Sequence, residues 1–158
     1  MLREAIHEET PLGLEVKPIY DAGDLIPDDL MVGLIRERLS QPDTERGFIL
    51  DGFPRTLPQA EALDEMLAEI DRELSAVLLF DLPEEVAVER LVGRAGEQGR
   101  TDDTPEVVRH RLEVFRTKTK PLVEHYRSKG LLVDVHAERP IDEVRAQVQQ
   151  ALAAAGQR

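Results

Sequence analysis

Three observations predict an α/β protein with a parallel sheet covered by helices on both faces. Short apolar runs stand at Phe48–Leu50, Ala76–Phe80 and Leu131–Val135, each too short for a helix and each followed by turn residues. Longer segments between them carry apolar residues at helical spacing. Strands that alternate with helices are built into parallel sheets with helices on the faces.

The elements are justified in chain order. Residues 28–40 begin after Pro27 and place Leu30, Leu34, Ile35 and Leu39 on one helical face. Residues 57–70 and 84–95 repeat that pattern. The longest helix is expected from Thr104 to Ser128, where Val108, Leu112, Phe115, Thr119, Leu122 and Tyr126 form a narrow stripe. Asp103 or Thr104 caps it, Pro105 suits its first turn, Glu106 reaches back and Gly130 ends it. A last helix runs from Ile141 to Ala154.

The chain has 158 residues and a net charge of −12, which suits one domain with its own core. That charge repels nucleic-acid backbones, so nucleic acid is not an expected partner. There is no cysteine, which removes disulfides, thiolate catalysis and cysteine-based zinc sites. No apolar run approaches the ~18 residues of a membrane span, and the start, MLREAIHEET, is no apolar leader. A cytoplasmic protein without a membrane partner is expected.

Two segments carry chemistry. Asp51-Gly52-Phe53-Pro54-Arg55 follows a strand, where α/β sheets collect ligands. Gly52 permits close backbone approach, Arg55 offers a planar fork for phosphate, and Asp51 can hold a metal-bound water. An ordinary strand-to-helix turn with solvated charges explains the same residues. In the second segment Arg90 and Arg94 lie four apart on one helix face, an unfavourable like-charge spacing unless an anion is near. A mobile Gly-rich stretch, 93–100, follows, then Arg100-Thr101-Asp102-Asp103, and Arg111 at the edge of the apolar stripe. Four arginines gathered in an acidic chain suggest an anion clamp. A solvated loop with local Arg–Asp pairs is the alternative. His7, His110, His125 and His136 show no metal-like spacing.

Together these segments resemble the adenylate kinases over essentially the whole chain. The resemblance rests on Met1-Leu2-Arg3-Glu4, on Asp21 through Pro27, on Gly47 through Thr56 with Gln59, on Gly99 through Asp103, and on Arg111-Leu112-Glu113. It implies a nucleoside monophosphate kinase of the P-loop type, which moves a phosphoryl group from MgATP to AMP to give two ADP. Arg3, Arg55, Arg100 and Arg111 match arginines that hold the AMP phosphate or the transferring group. Gln59 matches the residue that hydrogen-bonds the AMP adenine. Asp24, Leu25 and Ile26 match the stretch lining the AMP base, Asp24 through its backbone, and Gly52, Phe53, Pro54 and Arg55 match the AMP-contacting loop. Arg90 and Arg94 match arginines on the ATP side, and Arg94, Arg55, Arg100 and Arg111 form the expected catalytic set. Asp51 matches the acidic residue near Mg²⁺. Arg139 stands where relatives often carry glycine and contact the ATP adenine.

The resemblance also implies a division of the chain. Residues 1–26 belong to an AMP-binding subdomain, 27–91 and 105–158 to the core, and 92–104 to a short lid without zinc. A monomer is expected. A UMP/CMP-type kinase is the nearest alternative, and Gln59 favours adenine over it. Relatives start with a central strand and a Gly-rich phosphate loop, yet no G-x-x-x-x-G-K-[ST] occurs in these residues. The expectation is that a truncated start has removed that segment, leaving three of five strands and a gap in the sheet. The 158 residues expressed alone are then expected to be unstable and without turnover. A remnant that binds AMP without catalysis is the competing reading.

Overall fold

The computed structural model describes residues 1–98 and 104–156, and for 95–98 the backbone alone. Eight α-helices and one two-stranded sheet are found among the described residues: α1 (Leu2–His7), α2 (Pro11–Ala22), α3 (Asp28–Leu39), α4 (Leu57–Ala68), β1 (Val77–Asp81), α5 (Glu84–Gln98), α6 (Pro105–Val114), α7 (Pro121–Ser128), β2 (Leu132–His136) and α8 (Ile141–Ala155). β1 and β2 pair in parallel, from Val77 opposite Leu132 to Asp81 opposite His136. Parallel neighbours need a crossover of a dozen residues or more, and α5, α6 and α7 supply it.

The core has two connected parts. Ile35 and Leu39 of α3 and Leu63, Met66 and Leu67 of α4 enclose Phe53. Ala60 of α4 meets Leu122 and Tyr126 of α7, with Val77 and Leu132 of the sheet packed against them. Leu74 touches both parts and joins them. Fully burying a side chain of this size contributes roughly 1.5–3 kcal/mol.

Three expectations need correction. Phe48–Leu50 is not a strand. Phe48 and Leu50 pack against the core while Ile49 is 92% exposed, so the segment keeps the two-residue alternation of an extended chain. A strand also needs a hydrogen-bonded neighbour. Among the described residues β1 has only β2 beside it, and no backbone bond joins 48–50 to another segment.

The second correction concerns the long helix, which is divided. α6 ends at Val114, a π-helical turn spans Phe115–Thr119, and α7 starts with Pro121 at its first position. Proline has no N–H to give and its ring clashes with the preceding turn, so a continuous α-helix cannot pass through it unaltered. The third correction concerns the Gly-rich stretch, whose residues up to Gln98 continue α5. Glycine costs a helix about 1 kcal/mol, and the neighbouring Arg94, Ala95, Glu97 and Gln98 are good helix formers.

The other boundaries agree within two residues. Thr104 is the cap of α6, its side chain accepting from the Val107 N–H. No described helix is long and apolar enough to cross a membrane.

Candidate functional site

The loop after Leu50 is shaped by Gly52, whose φ of +73° lies in the left-handed region. A Cβ there would stand 2.9 Å from Arg55 Nη2. The missing side chain lets the guanidinium fold back over the loop, and Arg55 Nε donates to the Gly52 carbonyl at 2.8 Å. Phe53 anchors the loop from below, 7% exposed within the core. Its side chain is therefore turned away from any ligand, and only its backbone serves the predicted AMP contact. Pro54 beside it is half-buried.

Arg55 is held at both ends of its peptide unit. Its N–H donates to Gln59 Oε1 at 2.8 Å, and its carbonyl accepts from Thr119 Oγ1 at 3.0 Å. Thr56 caps α4 by accepting from the Gln59 N–H. Gln59 is 2% exposed, and its Nε2 donates to Asp28 Oδ1 at 2.8 Å. The Thr56 hydroxyl donates to the same oxygen at 2.9 Å. These bonds set the amide orientation without ambiguity, because Oε1 faces a donor and Nε2 faces a carboxylate. An amide keeps one further N–H and one further lone pair after such bonds. Gln59 is thus a structural tie of the loop as well as the predicted adenine contact.

A second group comes from helices distant in sequence. Tyr20, in the last turn of α2, lies 5.5 Å from the guanidinium carbon of Arg3 on α1 and 5.5 Å from that of Arg111 on α6. Arg111 Nη2 also donates to the Tyr20 carbonyl at 3.3 Å. Gly23 ends α2 with φ +83°, and a Cβ there would meet Val107 Cγ1 at 3.0 Å and Arg111 Cγ at 3.1 Å. Glycine is what allows α2 to end so close to α6. One residue on, Asp24 Oδ1 contacts His110 Nε2 at 2.6 Å. Leu25 is half-buried and Ile26 is 6% exposed, so the predicted base-lining stretch is anchored by its apolar side chains.

The two groups meet electrostatically. Arg55 keeps solvent contact on one side, yet its pKa is drawn below the ordinary arginine value. Protein crowding around the guanidinium is the largest cause and the positive charge of Arg111 the next, while Tyr20 and Asp51 oppose both. Arg3, Tyr20, Arg55 and Arg111, with Asp51 beside them, therefore form one constellation of positive charge. An anion relieves that crowding of charge, and bidentate contacts suit a phosphate.

Other predicted residues lie elsewhere. Arg90 on α5 donates to the Ala137 carbonyl at 2.7 Å, joining α5 to the loop after β2. Arg139 in that loop reaches Glu143 at 3.3 Å. Arg94 sits one turn after Arg90 on α5. This second region stands at the carboxyl ends of β1 and β2, where open α/β sheets place ligands. Arg100 lies outside the described residues, as do residues 99–103 of the predicted lid. Asp51 is a single exposed carboxylate, and no group of three His, Asp or Glu able to hold a metal occurs among the described residues. Mg²⁺ is commonly held through one or two carboxylates together with substrate phosphates, and Asp51 beside an arginine clamp fits that kind of site.

Concavity does not mark the site. Regions of about 360 Å³ between β2 and α8, and of about 380 Å³ between α1, α2 and α3, contain none of the predicted residues. Tyr20 and Asp28 escaped the sequence reading, and Thr119 and His110 entered it without a role at the site. Their contacts span 28 to 91 positions, so no local spacing announces them. The one available signal was Tyr20 itself, one of two tyrosines, three residues before a helix-ending glycine.

The chain is also similar in sequence to known proteins. The family model described as adenylate kinase matches residues 1–131. An adenylate kinase of Stenotrophomonas maltophilia K279a is 47% identical over 154 residues, covering 98% of this chain and 82% of the relative. One from Leptospira biflexa is 45% identical over 144 residues, covering 91% and 77%. One from Cyanothece sp. PCC 7425 is 46% identical over 149 residues, covering 94% and 76%.

Proposed function

The chain belongs to the adenylate kinase family, and from that premise we propose that it serves the reversible transfer of a phosphoryl group from MgATP to AMP, giving two ADP. The observation that carries this reading is the convergence of Arg3, Arg55 and Arg111, from three separate parts of the chain, beside the Asp51–Arg55 loop. Phosphoryl transfer needs positioning and charge stabilisation rather than covalent participation by the protein. Arg3, Arg55 and Arg111 hold the AMP phosphate. Arg55 and Arg111, with Arg94 and Arg100, stabilise charge on the transferring group. Gln59 and the backbone of Asp24, with Leu25 and Ile26, receive the adenine, and Gly52 to Pro54 border it.

Arg90, Arg94 and Arg139 belong to the ATP side in this reading. Asp51 holds the water shell of Mg²⁺, which offsets charge on the ATP phosphates when bound. No general base is required, and the histidines are left out of the chemistry. The division into residues 1–26, a core of 27–91 with 105–158, and a lid at 92–104 belongs to the same proposal. So does a cytoplasmic monomer whose small-molecule partners are ATP, AMP and ADP.

The chain spans 82% and 77% of two relatives it matches, and the native gene product is the material for the test. ADP formation from ATP with AMP, UMP or CMP as acceptor tests the proposal. AMP is expected to be preferred by at least tenfold, about 1.4 kcal/mol. A preference for UMP or CMP would replace it with a pyrimidine kinase, and AMP binding without turnover would replace it with a binding module.

A further inference from the structure

We infer that Tyr20 is a positioning residue for the acceptor phosphate, holding Arg3 and Arg111 at one anion site. The inference rests on the acceptor site proposed above. Tyr20 has two kinds of contact with the clamp. Its ring lies 5.5 Å from both guanidinium carbons, and its carbonyl accepts from Arg111 Nη2 at 3.3 Å. The three residues come from α1, α2 and α6, so a single half-buried side chain joins the N-terminal helix pair to the core at the clamp.

The chemistry explains why an aromatic ring suits this place. Arginines brought together repel, and a phosphate is absent before substrate binds. The face of an aromatic ring attracts a cation through its quadrupole without carrying charge of its own. A carboxylate in the same place would neutralise the site and compete with the incoming anion. A ring also engages the flat face of a guanidinium, whereas a phosphate is bound along its N–H edge. The two contacts are compatible, and the ring presets the arginines for the anion. Preset groups bind more tightly because less ordering is left to be done at binding.

The position is fixed from behind as well. Gly23 leaves room for the Arg111 stem, with Arg111 Nε only 3.4 Å from where a Cβ would be.

Tyr20→Leu and Tyr20→Phe in the full-length protein test this. Steady-state kinetics give KM for AMP, KM for ATP and kcat, and calorimetry gives the AMP Kd. Loss of two cation–π contacts should raise KM and Kd for AMP about five- to thirtyfold in Tyr20→Leu. KM for ATP should stay within about twofold, and Tyr20→Phe should stay near wild type for both substrates. Tyr20→Met, with a more adaptable side chain than Leu, carries the same comparison should Leu lower Tm. An unchanged AMP KM in a folded Leu or Met variant would overturn the inference, as would equal losses for AMP and ATP, or a Phe variant as poor as Leu. A wild-type protein that neither binds nor phosphorylates AMP would instead overturn the proposed function, and this inference with it.

Discussion

Replacing Arg55 by methionine separates the arginine's chemical role from a structural one. Methionine keeps most of the aliphatic stem and removes the charge. In the folded chain Arg55 makes one side-chain hydrogen bond to Gly52 at 2.8 Å, at an exposed site. Such a bond contributes about 0.5–1.5 kcal/mol. Against that stands the disfavour the folded chain imposes on its charge, since burial and Arg111 both draw its pKa down. A cation whose pKa falls on folding costs stability while it is charged, so its removal returns some of what the hydrogen bond loses. The net change in folding stability is expected to stay within about 1 kcal/mol. The loss in catalysis should be far larger. A preorganised donor aimed at developing charge supplies roughly 2.7–4 kcal/mol, or about 10²–10³ in kcat. Arg55→Lys retains charge without the fork and should fall between Met and wild type. Urea denaturation and initial rates on the same preparations decide the matter. Near-normal turnover in the Met variant, or a rate loss matched by several kcal/mol of lost stability, would refute the assignment.

Gly52→Ala should cost about 1–2 kcal/mol from its φ of +73° and displace Arg55 Nη2, which lies 2.9 Å from the added carbon. Turnover should fall at least about tenfold, and an Ala variant with wild-type rates would contradict the loop geometry. Tyr126 is 2% exposed, and its hydroxyl has no partner among the described residues. Burial first, and Asp64 second, push its pKa up to about 12 from 10.0. The folded state therefore holds this proton more tightly than the unfolded state does. The associated stability is present below about pH 10 and is lost as pH rises toward 12. Tyr126→Phe should be neutral or up to about 1 kcal/mol more stable at neutral pH and should flatten the alkaline decline, as urea midpoints across that range would reveal. EDTA should abolish ADP formation and added Mg²⁺ restore it, while Asp51→Asn should raise the Mg²⁺ concentration needed for half-maximal rate; activity indifferent to EDTA would remove the metal from the reading.

What could be read from the sequence was mostly local. Thr104 was read as a helix cap and forms one, and Thr56 caps α4 in the same way. The Asp51–Arg55 turn was legible because Gly52 and Arg55 meet within four residues. The arginines were legible as a set because their charge is out of keeping with a chain of −12. Which arginines meet was legible only through the family resemblance and not from spacing. Arg3 and Arg111 are 108 positions apart, and the packing of α1 on α2, with the close approach of Gly23 to α6, brings them to one ring. The fold class was read correctly from alternating elements, but the third strand was not. An apolar triplet records which side chains face the core and says nothing about whether a neighbouring strand is present to complete the ladder.

The divided helix shows how a true pattern can hide a departure from it. Val108 and Tyr126, near the two ends of the predicted stripe, are 0% and 2% exposed, so the stripe identifies core positions correctly. In the middle, Phe115 is 44% exposed, so the stripe is not buried along its whole length. The π turn at Phe115–Thr119 reconciles the two. A π turn holds one residue more than an α turn, so the residues after it are rotated by about 100° relative to a continuous helix. Thr119, at the end of the turn, faces the Asp51–Arg55 loop, where its hydroxyl meets the Arg55 carbonyl. Pro121 is the sequence signal that the expectation of one continuous helix passed over, since proline inside a helical pattern ends or kinks it. The same few residues thus set α6, which carries Arg111, and α7, which carries the core, at the angles each needs. Arg111 lies in the last turn of α6, and Thr119, which supports Arg55, lies in the π turn that follows, so neighbouring turns of one chain segment reach both groups of the clamp.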